Sequence, residues 1–347
     1  MFQKNAWYVA CTPDEIDGKP LGRKICDEQI VFYRGPGGKP VALDDYCPHR
    51  GAPLSLGHMK GENLVCGYHG LEMGGDGKTV AMPSQRVGGF PSVRVYPVEE
   101  RYGFIWVWPG EREKADPSLI HHLAWAEDPE YACGGGLYHF ECNYLLLVDN
   151  LMDLSHEAYL HPNSIGQPEI LHVDPTSHME EGSAVTSRFM NNIMAPPLYR
   201  AALRGHNLAD DVPVDRWQIC HFYLPSHVLL DVGVAHAGHG GFEADPKYKA
   251  GGVVWDFITP ETETSTWYFW GMARNFCPDD KELTEQITKR FSVVFNEDRE
   301  MLERQQKNLE RTRGALLNLN IDSGGVYARR MIEQAIAEER QSERQVA

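Results

Sequence analysis

Apolar and polar positions are arranged differently in two parts of the chain. Up to about residue 110, short apolar or alternating runs are separated by Gly- and Pro-bearing turns: QIVFYR (29–34), PVALDDY (40–46), NLVCGYHG (63–70), GKTVAM (77–82) and GFIWVWPG (103–110). That rhythm predicts a small antiparallel β domain. The segment EREKADPS (111–118) is polar, charged and proline-bearing, and it predicts a boundary between a domain over 1–110 and a second over 111–347. Beyond it, the apolar stretch near 144–161 predicts a helix, and HVLLDVGVA (227–235), GVVWDFITP (252–260) and STWYFWGMA (265–273) predict long strands ahead of a charged helical C-terminus. The pattern is α+β, with helices packed on an antiparallel sheet. There is no tandem repeat and no heptad array long enough for a coiled coil.

Composition narrows the class. Of 347 residues, 42% are apolar, and no run approaches the roughly 18 apolar residues of a membrane span. The N-terminus MFQKNAWYVACTPDE lacks an apolar signal core, so the expected location is the cytoplasm and no membrane partner is expected. A net charge of −16, with basic residues scattered, repels phosphate backbones and argues against nucleic acid. Eight cysteines are few for this length and suit thiols or metal ligands in a reducing compartment. The 15 histidines are the unusual feature, because several stand beside a cysteine, an aspartate or another histidine.

Cys47-Pro48-His49 is followed after sixteen residues by Cys66-Gly67-Tyr68-His69. Gly51, Gly67 and Gly70 place both pairs on tight loops that bring backbone amides near a buried charge. Two thiolates and two imidazoles suit a tetrahedral zinc or a two-iron, two-sulfide cluster. Structural zinc loops usually supply like ligands, whereas each loop here supplies one sulfur and one nitrogen, so each can serve both irons of a Rieske cluster. Tyr68 either tunes the cluster by hydrogen bonding or shields it from water. His58, inside the spacer, reads as a solvated loop residue.

A second constellation lies in LLLVDNLMDLSHEAYLHP, where Asn150, Asp153, His156 and His161 interrupt an apolar segment. On one straight helix the two imidazoles would stand about 140° apart, but Pro162 disfavours helical geometry at His161 and lets the chain turn there. Two histidines with a carboxylate make the facial triad of a non-haem Fe(II) oxygenase. In the C-terminal helix Leu283, Ile287, Phe291, Val294, Met301, Leu302 and Leu309 form a stripe that includes Asp298, while Glu297 falls outside it as an ordinary solvated acid would. Asp298 is thus the candidate carboxylate, with a structural ion pair as the alternative. Gly75-Asp76-Gly77-Lys78-Thr79 is no phosphate loop, because the required first glycine is Glu72, and it reads as a hairpin turn. His236 and His239 have no carboxylate at suitable spacing.

CPHRGAPLSLGHMKGENLVCGYHG and NLMDLSHEAYLH together resemble the Rieske non-haem iron oxygenases, and the similarity continues through KNAWYVACTPDEI, MAPPLYRAALRGHNLADDVPVDRWQIC, FITPETETSTWYFWGMARNF and NEDREMLERQQ. The resemblance implies a β Rieske domain followed by a helix-grip-like catalytic domain. It implies that Cys47, His49, Cys66 and His69 hold the [2Fe-2S] cluster and that His156, His161 and Asp298 hold a mononuclear Fe(II). Asp153 would bridge His156 to His69 of a neighbouring subunit in a head-to-tail homotrimer, since the two centres of one chain in that family are too far apart for fast electron transfer. Asn150 would stand near the iron. The implied activity is a monooxygenase that takes O2 and removes the methyl group of a methoxylated aromatic acid as formaldehyde. NADH and flavin would enter only through a separate flavin and iron–sulfur reductase, as no G-x-G-x-x-G follows a strand here. An anionic substrate needs a cation or donors, for which Arg204, His206, Asn207, Arg216 and His221 are candidates. A non-catalytic Rieske electron carrier or redox sensor is the rival of another class, and it leaves about 235 residues unexplained.

Overall fold

The computed structural model describes residues 2–312 and 316–346. Two compact units are present: one runs to His122 and includes Thr259–Thr262 and the segment from Glu339, and the other comprises Leu123–Ile258 and Glu263–Glu338. The first unit thus continues past the polar segment at 111–118.

The first unit carries three small antiparallel sheets. β1 (Tyr8–Cys11), β10 (Val98–Arg101) and β11 (Phe104–Val107) make one in the order β1-β11-β10. β2 (Leu21–Ile25), β3 (Glu28–Arg34), β4 (Pro40–Asp44) and β9 (Val95–Tyr96) make the second. β5 (His58–Lys60), β6 (Asn63–Val65), β7 (Glu72–Met73) and β8 (Thr79–Ala81) make the third. Of the run NLVCGYHG only 63–65 is strand, and the rest is a loop whose own hydrogen bonds replace ladder pairing. His58 is exposed, but it lies on β5, not in a loop. Between β7 and β8 the Gly74 amide donates to the Lys78 carbonyl at 2.9 Å, the tight hairpin turn expected there.

In the second unit seven antiparallel strands stand in the order β12-β18-β17-β16-β15-β14-β13. They are β12 (Ala132–Phe140), β13 (Thr176–Glu180), β14 (Ser183–Met194), β15 (Pro213–Tyr223), β16 (His227–His236), β17 (Lys249–Thr262) and β18 (Ser265–Arg274). The helices are α1 (Ala124–Glu127), α2 (Tyr144–Met152), α3 (Glu157–Leu160), α4 (Pro197–Gly205), α5 (Lys281–Leu309) and α6 (Ser323–Val346). No helix among the described residues is long and apolar enough to cross a membrane.

α5 packs on β12 and β18, and α2 packs on β15, β16 and α5. Asp280 caps α5 by accepting the Leu283 amide at 2.9 Å. Its inward face carries Ile287, Phe291, Val294, Phe295 and Leu302, each stabilising the packing by about 1.5–3 kcal/mol. Asp298 and Gln306 share that buried face, whereas Met301, counted in the sequence stripe, is 51% exposed. Gln306 Oε1 accepts the Asn143 amide at 2.9 Å and so ties α5 to the start of α2.

The helix expected across 144–161 is broken. Asp153 Oδ1 accepts both the Ser155 amide and the Ser155 hydroxyl, a local turn that competes with helical hydrogen bonding. α2 therefore ends at Met152, and the one-turn α3 starts after His156 and ends before His161. The 140° separation computed for a straight helix does not apply, because the reorientation falls at 153–156 as well as at Pro162.

Candidate metal centres and the cavity beside them

The two Cys/His loops of the first unit are built alike. In each, the cysteine amide donates to the carbonyl five residues ahead (Cys47 to Ala52, Cys66 to Leu71, both 2.8 Å), and the cysteine carbonyl accepts from the glycine four ahead, Gly51 at 2.8 Å and Gly70 at 3.0 Å. Gly51 and Gly70 have φ of 69° and 75°, a left-handed conformation that a side chain at this turn would strain. Cys47 and Cys66 belong to the hydrophobic core with Val31, Leu43, Leu54 and Leu64, while His49 and His69 are exposed. Burial, together with the neighbouring Cys66 thiol, holds the Cys47 thiol above its ordinary pKa, against amide hydrogen bonds from His49 and Arg50 that lower it. The imidazoles of His49 and His69 lie 4.6 Å apart between centroids. Sulfur thus neighbours sulfur on the inside and imidazole neighbours imidazole on the outside, the partition a Rieske cluster uses. Tyr68 is 61% exposed, with its ring 3.9 Å from that of His69.

In the second unit His156, His161 and Asp298 come together, each offering one ligand atom within 4.8 Å of the others. His161 Nε2 lies 3.2 Å and His156 Nε2 3.7 Å from Asp298 Oδ1. The opposite ring nitrogens are engaged elsewhere: His156 Nδ1 meets the Asp153 backbone carbonyl at 2.5 Å, and His161 Nδ1 meets Glu297 Oε2 at 2.7 Å. Both rings therefore turn Nε2 toward a common point, the orientation that outer hydrogen bonds impose on metal-ligating histidines. Two imidazoles and one carboxylate on a single face fit a mononuclear Fe(II) with open positions.

Glu297 is not the ordinary solvated acid that its position off the stripe suggested. It holds the His161 ring and also accepts from Ser164 Oγ at 3.3 Å. Burial works against charge on His161, yet hydrogen bonds and charge from Asp298 and Glu297 outweigh it and raise the pKa of the ring. Asn150 donates from Nδ2 to Asp298 Oδ1 at 3.1 Å. The Asp153 carboxylate does not meet His156, which bonds the Asp153 carbonyl instead. With Asn150 and His156, Asp153 lines a hollow of about 880 Å³ bordered by the exposed Leu316 and Leu317.

On its other side the triad borders a cavity between one face of the sheet and helices α2, α4 and α5. Strand alternation puts Arg216 and Gln218 of β15, Leu230 and Val232 of β16, and Val254 and Asp256 of β17 on that face. Of the five substrate-binding candidates only Arg216 lines the cavity. Arg204 pairs with Asp210 at the surface, and His221 stacks on Tyr223. Arg216 donates to Gln167 at 2.6 Å, lies 3.6 Å from Glu157 Oε2 and has no partner at Nε among the described residues. Glu157, which sequence reasoning passed over, is 5% exposed and accepts from Gln218 at 2.6 Å. His236 meets the Ala209 carbonyl and His239 stacks on Tyr248, so each has an ordinary structural partner.

Comparison with known proteins agrees with this geometry. Residues 6–97 match the Rieske [2Fe-2S] domain, and residues 140–338 match the vanillate O-demethylase oxygenase C-terminal domain. The chain belongs to the Rieske non-haem iron oxygenases, in the family that this C-terminal domain defines. It is 64% identical to the vanillate O-demethylase oxygenase subunit of a Pseudomonas species over 99% of this chain and 97% of that one. It is 37% identical to the dicamba O-demethylase oxygenase component of Stenotrophomonas maltophilia, covering 96% of this chain and 97% of the relative. The crystal structure of dicamba monooxygenase bound to 3,6-dichlorosalicylic acid superposes with a TM-score of 0.89 at 35% identity, covering 97% of this chain and 98% of that one. As in its family, the cofactors are a Rieske [2Fe-2S] cluster and a mononuclear iron, and electrons come from a reductase.

Proposed function

We propose that this oxygenase demethylates vanillate: vanillate, O2, NADH and a proton give 3,4-dihydroxybenzoate, formaldehyde, NAD+ and water, with a separate flavin and iron–sulfur reductase delivering the electrons. The observation that carries this reading is a mostly apolar cavity bordered by the His156, His161 and Asp298 triad and containing the buried cation Arg216. The 64% identity to a vanillate O-demethylase oxygenase subunit supports vanillate among methoxylated aromatic acids. When bound, the mononuclear iron supplies O2 activation and the cluster supplies electrons.

The chain's own residues position and enclose the substrate. Cys47, His49, Cys66 and His69 hold the cluster, and His156, His161 and Asp298 hold the iron. Glu297 fixes the ring of His161, and Asn150 fixes the carboxylate of Asp298. Leu230, Val232, Val254, Phe291 and Phe295 pack against the aromatic ring and exclude water. Arg216 Nε offers the aromatic carboxylate a charged donor. Buried Arg188 stands near Arg216, Glu157 and Asp153, a cluster in which two guanidiniums are set against two carboxylates.

Asp153 is the link in this reading, its backbone carbonyl meeting His156 Nδ1 and its carboxylate reaching His69 of the next subunit of a homotrimer. The hollow that it lines, with Leu316 and Leu317 exposed at its border, suits cover by a neighbouring chain. Eight cysteines without a disulfide are compatible with the cytoplasm. The assay that decides is O2-dependent formaldehyde and 3,4-dihydroxybenzoate formation from vanillate by the iron-loaded protein with a reductase and NADH. A fully loaded protein that produces neither contradicts the reading. The 37% identity to a dicamba O-demethylase makes dicamba the comparison substrate, and turnover of dicamba in preference to vanillate would move the assignment to another methoxylated acid.

A further inference from the structure

Asp256 is the one acid in the run GVVWDFITP, and it is 0% exposed. It lines the cavity on the same sheet face as Arg216 and Gln218, but Leu230, Val232 and Val254 separate it from them across the strands. The metal triad, with Asn150 and Glu297, makes no hydrogen bond to it among those described. Its Oδ1 accepts the Tyr268 hydroxyl at 2.5 Å, from a side chain that does not line the cavity. Its Oδ2 is buried and has no hydrogen-bond partner among the described residues. The large majority of buried side-chain polar atoms in folded proteins are hydrogen-bonded, so an orphaned carboxyl oxygen on a cavity wall points to a partner supplied by what the cavity holds.

We propose that Asp256 determines substrate specificity, its Oδ2 hydrogen-bonding the ring oxygen next to the methoxy group of a 4-hydroxy-3-methoxybenzoate, so that the enzyme selects aromatic acids bearing that second oxygen. This role rests on the vanillate reading above. The chemistry of the side chain suits it. Burial is the main force pushing the carboxyl up to about 8, with Asp298 adding to the rise and the Tyr268 hydroxyl opposing it. Near neutrality Oδ2 then carries a proton and donates, while Oδ1 takes the proton of Tyr268. A neutral donor does not repel an anionic substrate, and a compound lacking the second oxygen leaves the donor unsatisfied. An unmade buried hydrogen bond of this kind costs about 1–3 kcal/mol, roughly tenfold or more in selectivity.

The test uses the holoenzyme with its reductase and two substrates, vanillate and 3-methoxybenzoate, which differ only in the second oxygen. The wild type is expected to favour vanillate in kcat/KM by about tenfold or more. Asp256→Ala is expected to bring the ratio near one, chiefly by weakening vanillate. Asp256→Asn, which keeps a donor, is expected to retain most of the preference. Calorimetric Kd values of the two acids should change in parallel with these ratios. If the space opened by alanine prevents folding, Asp256→Val repeats the test with that space filled. A purely structural role would lower both substrates together and leave the ratio intact, and that result overturns the proposal, as does a wild-type ratio near one. Absence of formaldehyde from both compounds in the loaded wild type overturns the vanillate reading itself and this role with it.

Discussion

The loops at Cys47–Ala52 and Cys66–Leu71 each close over six residues on the same pair of backbone hydrogen bonds, whereas His161 and Asp298 meet across 137 residues of sequence. The first site is assembled by local turn geometry, with both cysteines set in the core of a small β unit. The second exists only where a broken helix, a seven-stranded sheet and the long α5 pack together. Local turns make the first arrangement robust to changes elsewhere. Long-range packing gives the second a cavity, and it makes the ligand set depend on outer groups such as Glu297 and Asn150.

Separating the two centres should produce the largest effect. Asp298→Ala is expected to abolish turnover and remove the mononuclear iron, about one of three irons per chain, while the visible spectrum of the cluster persists. Loss of the cluster in the same variant would mean that the two sites are not independent. Asp153→Ala is expected to stop turnover with both metals retained, as metal analysis and single-turnover measurements would show. Normal activity there would remove Asp153 from the link between the centres. Glu297→Gln weakens the hydrogen bond that orients His161, and a chelator competition should find iron bound about 10- to 100-fold more weakly. The smallest change is expected from Arg216→Lys, which keeps the charge and loses the fork: KM for vanillate should rise about tenfold with little change in kcat. An unchanged KM would show that another group receives the carboxylate.

The same contrast governs what the sequence reveals. Cys-x-His and Cys-x2-His with adjacent glycines are a complete local description of two loops, so the first site could be read without any tertiary information. The strands at 227–235, 252–260 and 265–273 were legible from their apolar β-branched and aromatic runs, and Asp298 from its place on an apolar helical stripe. Glu297 was not, because its side chain reaches His161 from a half-exposed position that periodicity assigns to solvent. The break at Asp153 was misplaced because the apolar pattern runs on, and the competing turn depends on one serine two residues later. Arg216 could not be chosen from among five candidates, since only the alternation of β15 within the folded sheet separates it from His221. Asp256 left a usable signal, a lone acid in a buried strand. What the sequence does not contain is which face of that strand meets a cavity.

The central claim is that two different iron centres occupy these two differently built sites. Iron and acid-labile sulfide analysis of the anaerobically reconstituted chain, with electron paramagnetic resonance before and after reduction, tests it most directly. The account predicts about three irons and two sulfides per chain, with a Rieske signal appearing on reduction. Zinc bound at the Cys47, His49, Cys66 and His69 loops, or iron without sulfide, would contradict it.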